Sequence, residues 1–365
     1  MKSRAIFFCL MLATTFSGCN QTADKGSITT HFTYADFKEE RQLSNPQVLT
    51  MDSLLYPASF YLLRDTLIVV NNQPECEFLM EIYSLNELNK PLLRIAPKGN
   101  GPNDLVPCGC LIHNNESDEF YVESPSTNTY YRTDIGVILQ NKKFVPTDKF
   151  QYTSLSHVQS DICVVDDSSY VAYNIWYVDD PEFSNGVEAP LQRYAKNKLP
   201  KDEGFMEYFV APVNGARIFY NHRRHEIWAM DLHKDRISIY NDFLQLQKEM
   251  IGPDNLQPQY TQVKSNAPFA FISFTGGQSY MGYIDYCLTR EHVYLVYSGD
   301  TRYSPEALQP VDVFKLKYDG WKSHATLTLL AKQDLAPFGY NMIDPLKSWC
   351  WGSILFYPFK ISRFS

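Results

Sequence analysis

A glycine-rich stretch after an apolar run is the first place in this sequence where the residue types suggest chemistry. A loop such as Gly99-Asn100-Gly101-Pro102 can hold a phosphate when its backbone N–H groups are free and a helix begins behind it. Proline removes one of those N–H groups, and Gly252-Pro253-Asp254-Asn255 repeats the pattern after another β-like run. Proline followed by Asn or Asp favours a β-turn. The sequence therefore predicts structural turns, and no phosphate site, at Gly101, Pro102, Gly252 and Pro253.

Three further groups of residues have part of a known chemical pattern, but none has all of it. Gly277 stands two positions before Ser279, as in the Gly-x-Ser-x-Gly nucleophile elbow of hydrolases. Met281 occupies the position where that sharp turn needs the second glycine. His222 and His225 flank two arginines that would repel a metal cation, so this segment is interpreted as a solvated turn. Cys108-Gly109-Cys110 lacks the spacing and the second cysteine pair of a structural zinc site. The sequence predicts no catalytic residue, no metal and no cofactor.

An aromatic segment is the strongest candidate for binding. The loop Tyr173–Gly186 carries Trp176, Tyr177 and Phe183 together with acidic residues. Long loops at one end of a scaffold often bind ligands, and Tyr and Trp are frequent contact residues. Trp176, Tyr177 and Phe183 are therefore a candidate binding rim for a glycan or a peptide. An alternative remains open, in which these aromatic side chains pack inside the fold.

The net charge bears on the class of partner, and the cysteines bear on possible disulfides. The formal net charge is −8 and there is no basic block, which argues against a nucleic-acid partner. An exported chain can form disulfides; Cys76 can pair with Cys108 or with Cys110, and the sequence does not decide between them. The remaining cysteines, Cys163 among them, are expected to be buried thiols.

The N-terminus has the features of an export signal. Lys2 and Arg4 precede an apolar stretch of twelve residues, Ala5–Phe16, which is too short to span a bilayer. Phe16-Ser17-Gly18-Cys19 resembles the lipobox of bacterial lipoproteins, although phenylalanine replaces the usual leucine. The resemblance implies cleavage before Cys19 and diacylglycerol on its sulfur. Residues 1–18 are thus predicted to be a lipoprotein signal peptide and residues 19–42 a lipid-anchored tether and lead-in; the alternative is an ordinary secreted protein.

Short β-like runs recur along the rest of the chain. Each follows a polar turn, and the runs begin at Leu67, Phe120, Tyr170, Ile227 and Val293, at intervals of 53, 50, 57 and 66 residues. A repeat of this length with several strands per unit is typical of β-propeller blades, which bury their faces on one another. The sequence predicts an all-β fold, a six-bladed β-propeller over residues 43–365.

The end of one repeat also resembles a known family. Ile95, Lys98–Pro102, Asp104 and Leu105 match the blade ending of the TolB-like six-bladed β-propeller lipoproteins of Bacteroidetes-type bacteria. The resemblance implies the propeller architecture and an envelope location. It implies no particular activity, because members of this family mostly lack one.

The C-terminal segment departs from the repeat. Asp344–Ser365 is apolar but has no polar turn before a strand, and Pro358 interrupts it. Two interpretations stay open: a frameshift near Trp321–His324 altered the last blade, or the final strand is genuine but divergent.

The sequence taken as a whole predicts a lipid-anchored propeller of the cell envelope, attached to the outer membrane, that binds a ligand or a protein partner. The expected partners are the membrane itself and an envelope protein, a peptide or a glycan. The alternative function is a metal-dependent hydrolase or lactonase that uses the central channel. Carboxylates and amides converging at the channel mouth would favour the enzyme, and an aromatic surface would favour the binding protein.

Overall fold

The computed structural model describes residues 28–37, 57–63, 65–71, 76–99, 105, 111–113, 117–124, 127–152, 159–174, 177, 189–198, 208–210, 215–263, 270–274, 280–288, 292–301, 311–317 and 327–333. These ranges are almost entirely β-structure, which confirms the predicted all-β class. The strands are β1 (Thr29–His31), β2 (Pro57–Leu63), β3 (Thr66–Asn71), β4 (Phe78–Ser84), β5 (Leu93–Pro97), β6 (Leu111–His113), β7 (Glu119–Ser124), β8 (Thr129–Asp134), β9 (Asp148–Gln151), β10 (Gln159–Val164), β11 (Ser169–Asn174), β12 (Leu191–Ala195), β13 (Tyr208–Val210), β14 (Ala216–Asn221), β15 (Glu226–Asp231), β16 (Arg236–Asn241), β17 (Leu246–Ile251), β18 (Tyr260–Val263), β19 (Ala270–Phe274), β20 (Tyr280–Leu288), β21 (His292–Thr301), β22 (Val311–Lys317) and β23 (Leu327–Gln333).

Helical structure is limited to short pieces in the described ranges. A 3-10 turn covers Tyr34–Asp36, and α1 (Ile135–Asn141) connects β8 to β9. Asp134 caps α1, because its Oδ1 accepts hydrogen bonds from the backbone N–H groups of Gly136 (2.7 Å) and Val137 (3.1 Å). None of these pieces has the length and apolar character that a membrane-crossing helix needs.

Strands that follow one another in the chain pair in antiparallel order. This pairing forms sheet 1 (β2–β5), sheet 2 (β6–β9), sheet 3 (β10–β12), sheet 4 (β14–β17) and sheet 5 (β20–β23). Since each sheet is a meander, the turn after its first strand and the turn after its third strand lie at the same end. We call this end the cleft end, and the other the opposite end. A separate small sheet pairs β19 with β18 and, in parallel, with β13.

Apolar side chains cover both faces of the sheets. Five of the six residues of β3 and all six residues of β11 are buried, whereas a sheet with one wet face would alternate between buried and exposed positions. Each sheet therefore needs a neighbour on both sides.

Successive sheets supply that cover for one another. The clusters that join them contain Ile68 with Phe120 (sheets 1 and 2), Phe150 with Tyr170 (2 and 3), Val171 with Ile218 (3 and 4), and Trp228 with Leu295 (4 and 5). The first strands are also adjacent, β6 against β10, β10 against β14 and β14 against β20. Sheets that pack face to face in chain order with their first strands side by side are the blades of a β-propeller.

The repeat read from the sequence corresponds to one strand position in the blades. All of the predicted starting residues lie in the second strand of successive sheets and are at most 1% exposed: Leu67, Phe120, Tyr170, Ile227 and Val293. The number of blades stays a prediction, because five meanders lie in the described ranges. Asp344–Ser365 falls outside these ranges, and both interpretations of it stay open.

Part of the predicted lead-in joins the propeller. β1 pairs in parallel with β17 and adds an outermost strand to sheet 4, with Thr29 opposite Glu249. Phe32 follows β1 and is buried in the cluster between sheets 4 and 5. Residues 28–37 thus attach the N-terminal region to a blade more than two hundred positions further along the chain.

The second glycine–proline segment is a turn held by a buried carboxylate. Asp235 is 1% exposed, and its Oδ2 accepts hydrogen bonds from the N–H groups of Asp254 (2.9 Å) and Asn255 (3.2 Å). The Tyr283 hydroxyl donates to Asp235 Oδ1 at 2.9 Å. Gly252 lies so close that a Cβ there would be 1.8 Å from Asp235 Oδ1. In the structure the Asn255 N–H donates to the Gly252 carbonyl oxygen at 3.3 Å across this turn; Gly101 and Pro102 lie outside the described residues.

Replacing Gly252 with alanine is expected to lower the free energy of unfolding by about 1–3 kcal/mol, because the added methyl group displaces the Asp235 carboxylate from its donors. Urea denaturation measures the change. Gly136→Ala is the matched control, since a Cβ there would meet only Asp134 Oδ1 at 3.0 Å. Equal free energies of unfolding for the two variants would contradict the role of this close approach.

Candidate functional site

A cleft opens at the cleft end of the propeller, between sheets 2, 3, 4 and 5. It has a volume of about 150 Å³. Its lining comes from β7, β8, β10, β14, β20 and the turns before β7, after β10 and after β14. The lining residues are Ser117, Glu119, Tyr121, Arg132, Cys163, Val164, Val165, Asp166, Asp167, Ile218, Phe219, Tyr220, His222 and Tyr286. Four blades contribute, so the cleft exists only when the sheets are assembled around one another.

A tight turn presents carboxylates on one wall. Asp166 Oδ1 accepts hydrogen bonds from the N–H groups of Ser168 and Ser169, both at 2.7 Å, and Oδ2 accepts one from the Ser169 hydroxyl at 2.7 Å. Burial opposes ionisation, but the hydrogen bonds from Ser169 and Ser168 outweigh it and lower the pKa of Asp166 to about 2. Asp167 follows with a fully exposed side chain. This wall is therefore negatively charged at neutral pH.

Arg132 stands on the wall formed by sheet 2. Its Nη1 lies 3.7 Å from Asp167 Oδ1, which is a long ion pair with a fully exposed carboxylate. Its Nε–H is the one buried side-chain donor among the described residues that has no hydrogen-bond partner. An unpartnered buried donor costs about 1–3 kcal/mol, so a ligand oxygen that accepts from Nε would bind with that gain.

Aromatic side chains form the floor of the cleft. The Tyr286 hydroxyl donates to the Ile218 carbonyl oxygen at 3.1 Å, and its ring lies 5.1 Å from that of Phe219. The Tyr220 hydroxyl donates to Asp242 Oδ1 at 2.8 Å, and its ring meets His222 edge-on at 4.6 Å. Burial, with help from Asp242, raises the pKa of Tyr220. The Tyr220 phenol is therefore neutral, and the hydroxyl groups of both tyrosines hold their rings in place.

The one thiol of the lining is chemically quiet. Cys163 is a free, buried cysteine, as the sequence predicted. Burial raises the pKa of its thiol far above the usual range, and nearby Asp161 raises it further. Since the thiolate is the nucleophilic form, Cys163 does not provide one. Cys76 is likewise a free thiol, half-buried.

A buried carboxylate next to the cleft joins two blades. Asp161 lies on β10, and its carboxylate accepts hydrogen bonds from the N–H of Ile162 (3.0 Å) and from the N–H of Ile218 (3.1 Å) on β14. Burial raises the pKa of Asp161 to about 6, against the opposing effect of Arg217. Asp161 thus links the first strands of sheets 3 and 4 with a group that titrates near neutral pH.

Of the candidate binding rim, only Tyr177 lies in the described residues. Tyr177 is half-buried, and its N–H donates to the Asn174 carbonyl at 3.1 Å. It does not belong to the cleft lining. Trp176 and Phe183 lie outside the described residues, as do Cys19 and Ser279, so the rim and the lipidation site stay predictions.

The cleft itself was not predicted from the sequence, although the polar turn before each repeated strand indicates where it lies. The polar turns that precede the repeated strands contain Glu119, Asp166 and His222, and all three reach the cleft. A polar turn at the same place in each repeat must emerge at the same end of every blade, which identifies the end but not the side chains that meet there. The turn 222–225 is confirmed as a turn, with exposed His222 and His225.

The pH dependence of stability should report on Asp161. Its pKa is about 6 in the folded protein and about 3.9 in an unfolded chain, so the native state binds the extra proton between these values. Asp161 therefore contributes up to about 3 kcal/mol to the free energy of unfolding below about pH 4, and this contribution is lost as the pH rises through 6.

Asp161→Asn removes this titration, although it also loses one acceptor for the backbone N–H groups. Urea denaturation of both proteins from pH 4 to pH 8 is expected to show the advantage of the wild type shrinking as the pH rises. A difference that stays constant over this range would contradict the raised pKa.

Comparison with known proteins gives distant structural likenesses. No protein-family model matches the chain, and no curated protein matches it either. Among solved structures, a protein of Bacteroides fragilis described as exported matches with 9% identity over 79% of this chain and 78% of that chain, at a TM-score of 0.40. A member of the DUF4221 family from Bacteroides vulgatus matches with 11% identity over 76% and 83%, at 0.42.

A third likeness is the β-propeller domain of Cps50 (Swd1) from Myceliophteria thermophila, with 10% identity over 80% of this chain and 74% of that chain, at a TM-score of 0.38. Because all three likenesses are distant, the assignment of this chain as a β-propeller rests on its own strand pairing and sheet packing.

Proposed function

We propose that this chain is a lipid-anchored β-propeller of the cell envelope whose cleft binds a neutral glycan. The observation that carries the proposal is the buried, unpartnered Nε–H of Arg132 in the cleft wall. A concave site with aromatic surfaces and a few convergent polar groups is typical of a small-molecule site. The cleft has both features.

The charges of the lining favour a neutral, hydroxylated ligand. Three carboxylates line the cleft, those of Glu119, Asp166 and Asp167, against the one lining guanidinium of Arg132 and the guanidinium of Arg193, whose Nη1 lies 3.5 Å from Asp166 Oδ2. This excess of negative charge disfavours phosphates and acidic polysaccharides. Sugar hydroxyl groups can donate to the carboxylates, a ring or hydroxyl oxygen can accept from Arg132, and a sugar face can stack on Tyr121 or Tyr220.

No observation favours the enzyme alternative. Within the described ranges, His, Cys, Asp and Glu side chains form no group of three or more that could hold a metal ion. The thiol of the cleft is protonated, and the aromatic floor corresponds to the binding protein rather than to the hydrolase or lactonase. We therefore propose binding.

Replacing Arg132 with glutamine is expected to weaken glycan binding about tenfold to a hundredfold, because the ligand oxygen loses the hydrogen bond that the charged guanidinium donates. The probes are an array of neutral and acidic oligosaccharides and peptides, followed by calorimetric titration of those that bind. The matched control is Arg94→Gln on sheet 1, where Arg94 Nε donates to Glu81 Oε1 at 3.0 Å, far from the cleft.

Neutral oligosaccharides are expected to bind the wild type and the Arg94 variant equally. Binding confined to peptides or to acidic oligosaccharides, or a wild type that binds nothing above background, would contradict the glycan proposal.

The anchor and the wider family are the second part of the proposal. The lipobox at Cys19 supports attachment to the outer membrane, and the blade ending at Ile95–Leu105 supports a six-bladed TolB-like propeller. Two or three acyl chains on one cysteine make such an attachment durable.

Cys19→Ser is expected to abolish acylation and to move the protein from the membrane fraction to the soluble fraction of a bacterium that processes lipoproteins, because serine cannot form the thioether. Mass spectrometry of the N-terminal peptide and cell fractionation measure this. Cys76→Ser is the control, since Cys76 is a half-buried thiol within the propeller. A Cys19→Ser protein that remains in the membrane fraction would contradict the anchor.

A further inference from the structure

Three exposed apolar side chains lie on or beside strand β17 of sheet 4. Ile28, Phe243 and Leu246 are 50%, 83% and 36% exposed, and they are three of the six large apolar side chains exposed in the described ranges. Phe243 lies in the turn between β16 and β17, and Leu246 begins β17. The Ile28 carbonyl oxygen accepts a hydrogen bond from the N–H of Glu249 on β17 at 2.9 Å. We call these three residues the corner patch.

The N-terminal strand enters the propeller from the side of this patch. β1 runs parallel to β17, with Thr29 opposite Glu249 and His31 opposite Ile251. Since β17 runs from Leu246 at the cleft end towards the opposite end, the start of β1 points towards the cleft end. Ile28 is nine positions after Cys19, a length of chain that spans at most roughly 30 Å. A membrane anchor at Cys19 is therefore held close to the corner patch.

Polar groups of the same blade hold the turn that carries Phe243. Asp242 accepts a hydrogen bond from the Tyr220 hydroxyl at 2.8 Å and pairs with His225 Nδ1 at 3.0 Å. The Phe243 N–H donates to Asn241 Oδ1 at 3.0 Å. The same end of the blade presents the exposed, cationic Arg223. An aromatic side chain on a hydrogen-bonded turn, at the same end of the blade as a cation, matches the boundary between lipid headgroups and acyl chains.

We propose that the corner patch docks on the phospholipid surface in which the acyl chains of Cys19 are inserted. This inference rests on the proposed lipid anchor, which holds the corner patch near the membrane. It adds a second contact, which orients the propeller with the cleft end of sheet 4 against the bilayer. A single flexible tether would leave the orientation free, whereas a tether and an inserted phenylalanine fix it.

The experiment attaches the protein to the membrane through an artificial N-terminal anchor. A failure of acylation and a failure of docking therefore remain distinguishable. The chain from Asn20 to Ser365 carries an N-terminal hexahistidine tag and is bound to vesicles of phosphatidylethanolamine and phosphatidylglycerol that contain a nickel-chelating lipid. Hydrogen exchange is compared with that of the same protein free in solution. Peptides that cover residues 241–246 are expected to exchange about fivefold more slowly on the vesicles. Peptides that cover the Gly252–Asn255 turn, at the opposite end of the same blade, are expected to exchange at the same rate.

Phe243→Asp is expected to remove the protection at residues 241–246 while the tag keeps the protein on the vesicles. Leu92→Asp is the matched control, because Leu92 is 47% exposed on sheet 1, and it should leave the protection unchanged. Unchanged exchange at residues 241–246 of the tethered wild type, or equal protection at both ends of the blade, would overturn the proposal. Equal protection in the Phe243 and Leu92 variants would also overturn it.

Discussion

The structure depends on the burial of both faces of every sheet. β3 and β11 carry apolar residues on both sides of the strand, and a sheet of this kind has no face that can be left in water. Successive sheets in the described ranges cover each other's faces, as Phe150 and Tyr170 do between sheets 2 and 3. Most polar groups therefore lie at the ends of the blades, and a polar group within a strand, such as Asp161, needs hydrogen-bond partners on the adjacent blade.

The two ends of the propeller use polar residues in different ways. At the opposite end, Asp235 is surrounded by the donors it needs, two backbone N–H groups and the Tyr283 hydroxyl. This satisfied network holds a turn and has no capacity left for a ligand. At the cleft end, Arg132 retains a buried donor without a partner. The two ends thus differ, with a closed hydrogen-bond network at one end and an open donor, the basis of the proposed binding site, at the other.

The cleft and the corner patch lie at the same end of the molecule. His222 lines the cleft, and the neighbouring turn at Asp242 and Phe243 belongs to the same blade. In the proposed orientation the part of the cleft that sheet 4 lines lies next to the membrane. The proposed lipid anchor, docking contact and binding site then belong to one arrangement at this end of the propeller.

The repeat and its turns can be read from the amino-acid sequence alone. Leu67, Tyr170 and Val293 mark the second strand of their blades, and Gly252-Pro253 makes a turn, because strand and turn preferences act over a few neighbouring residues. Which side chains meet depends instead on the packing of the sheets. Glu119, Arg132 and Asp166 reach one cleft from separate blades, Asp161 bonds to the backbone of the next blade, and β1 pairs with a strand more than two hundred positions away. Such contacts depend on how whole sheets pack, and no local pattern of residues encodes the partner of a strand so distant in the chain.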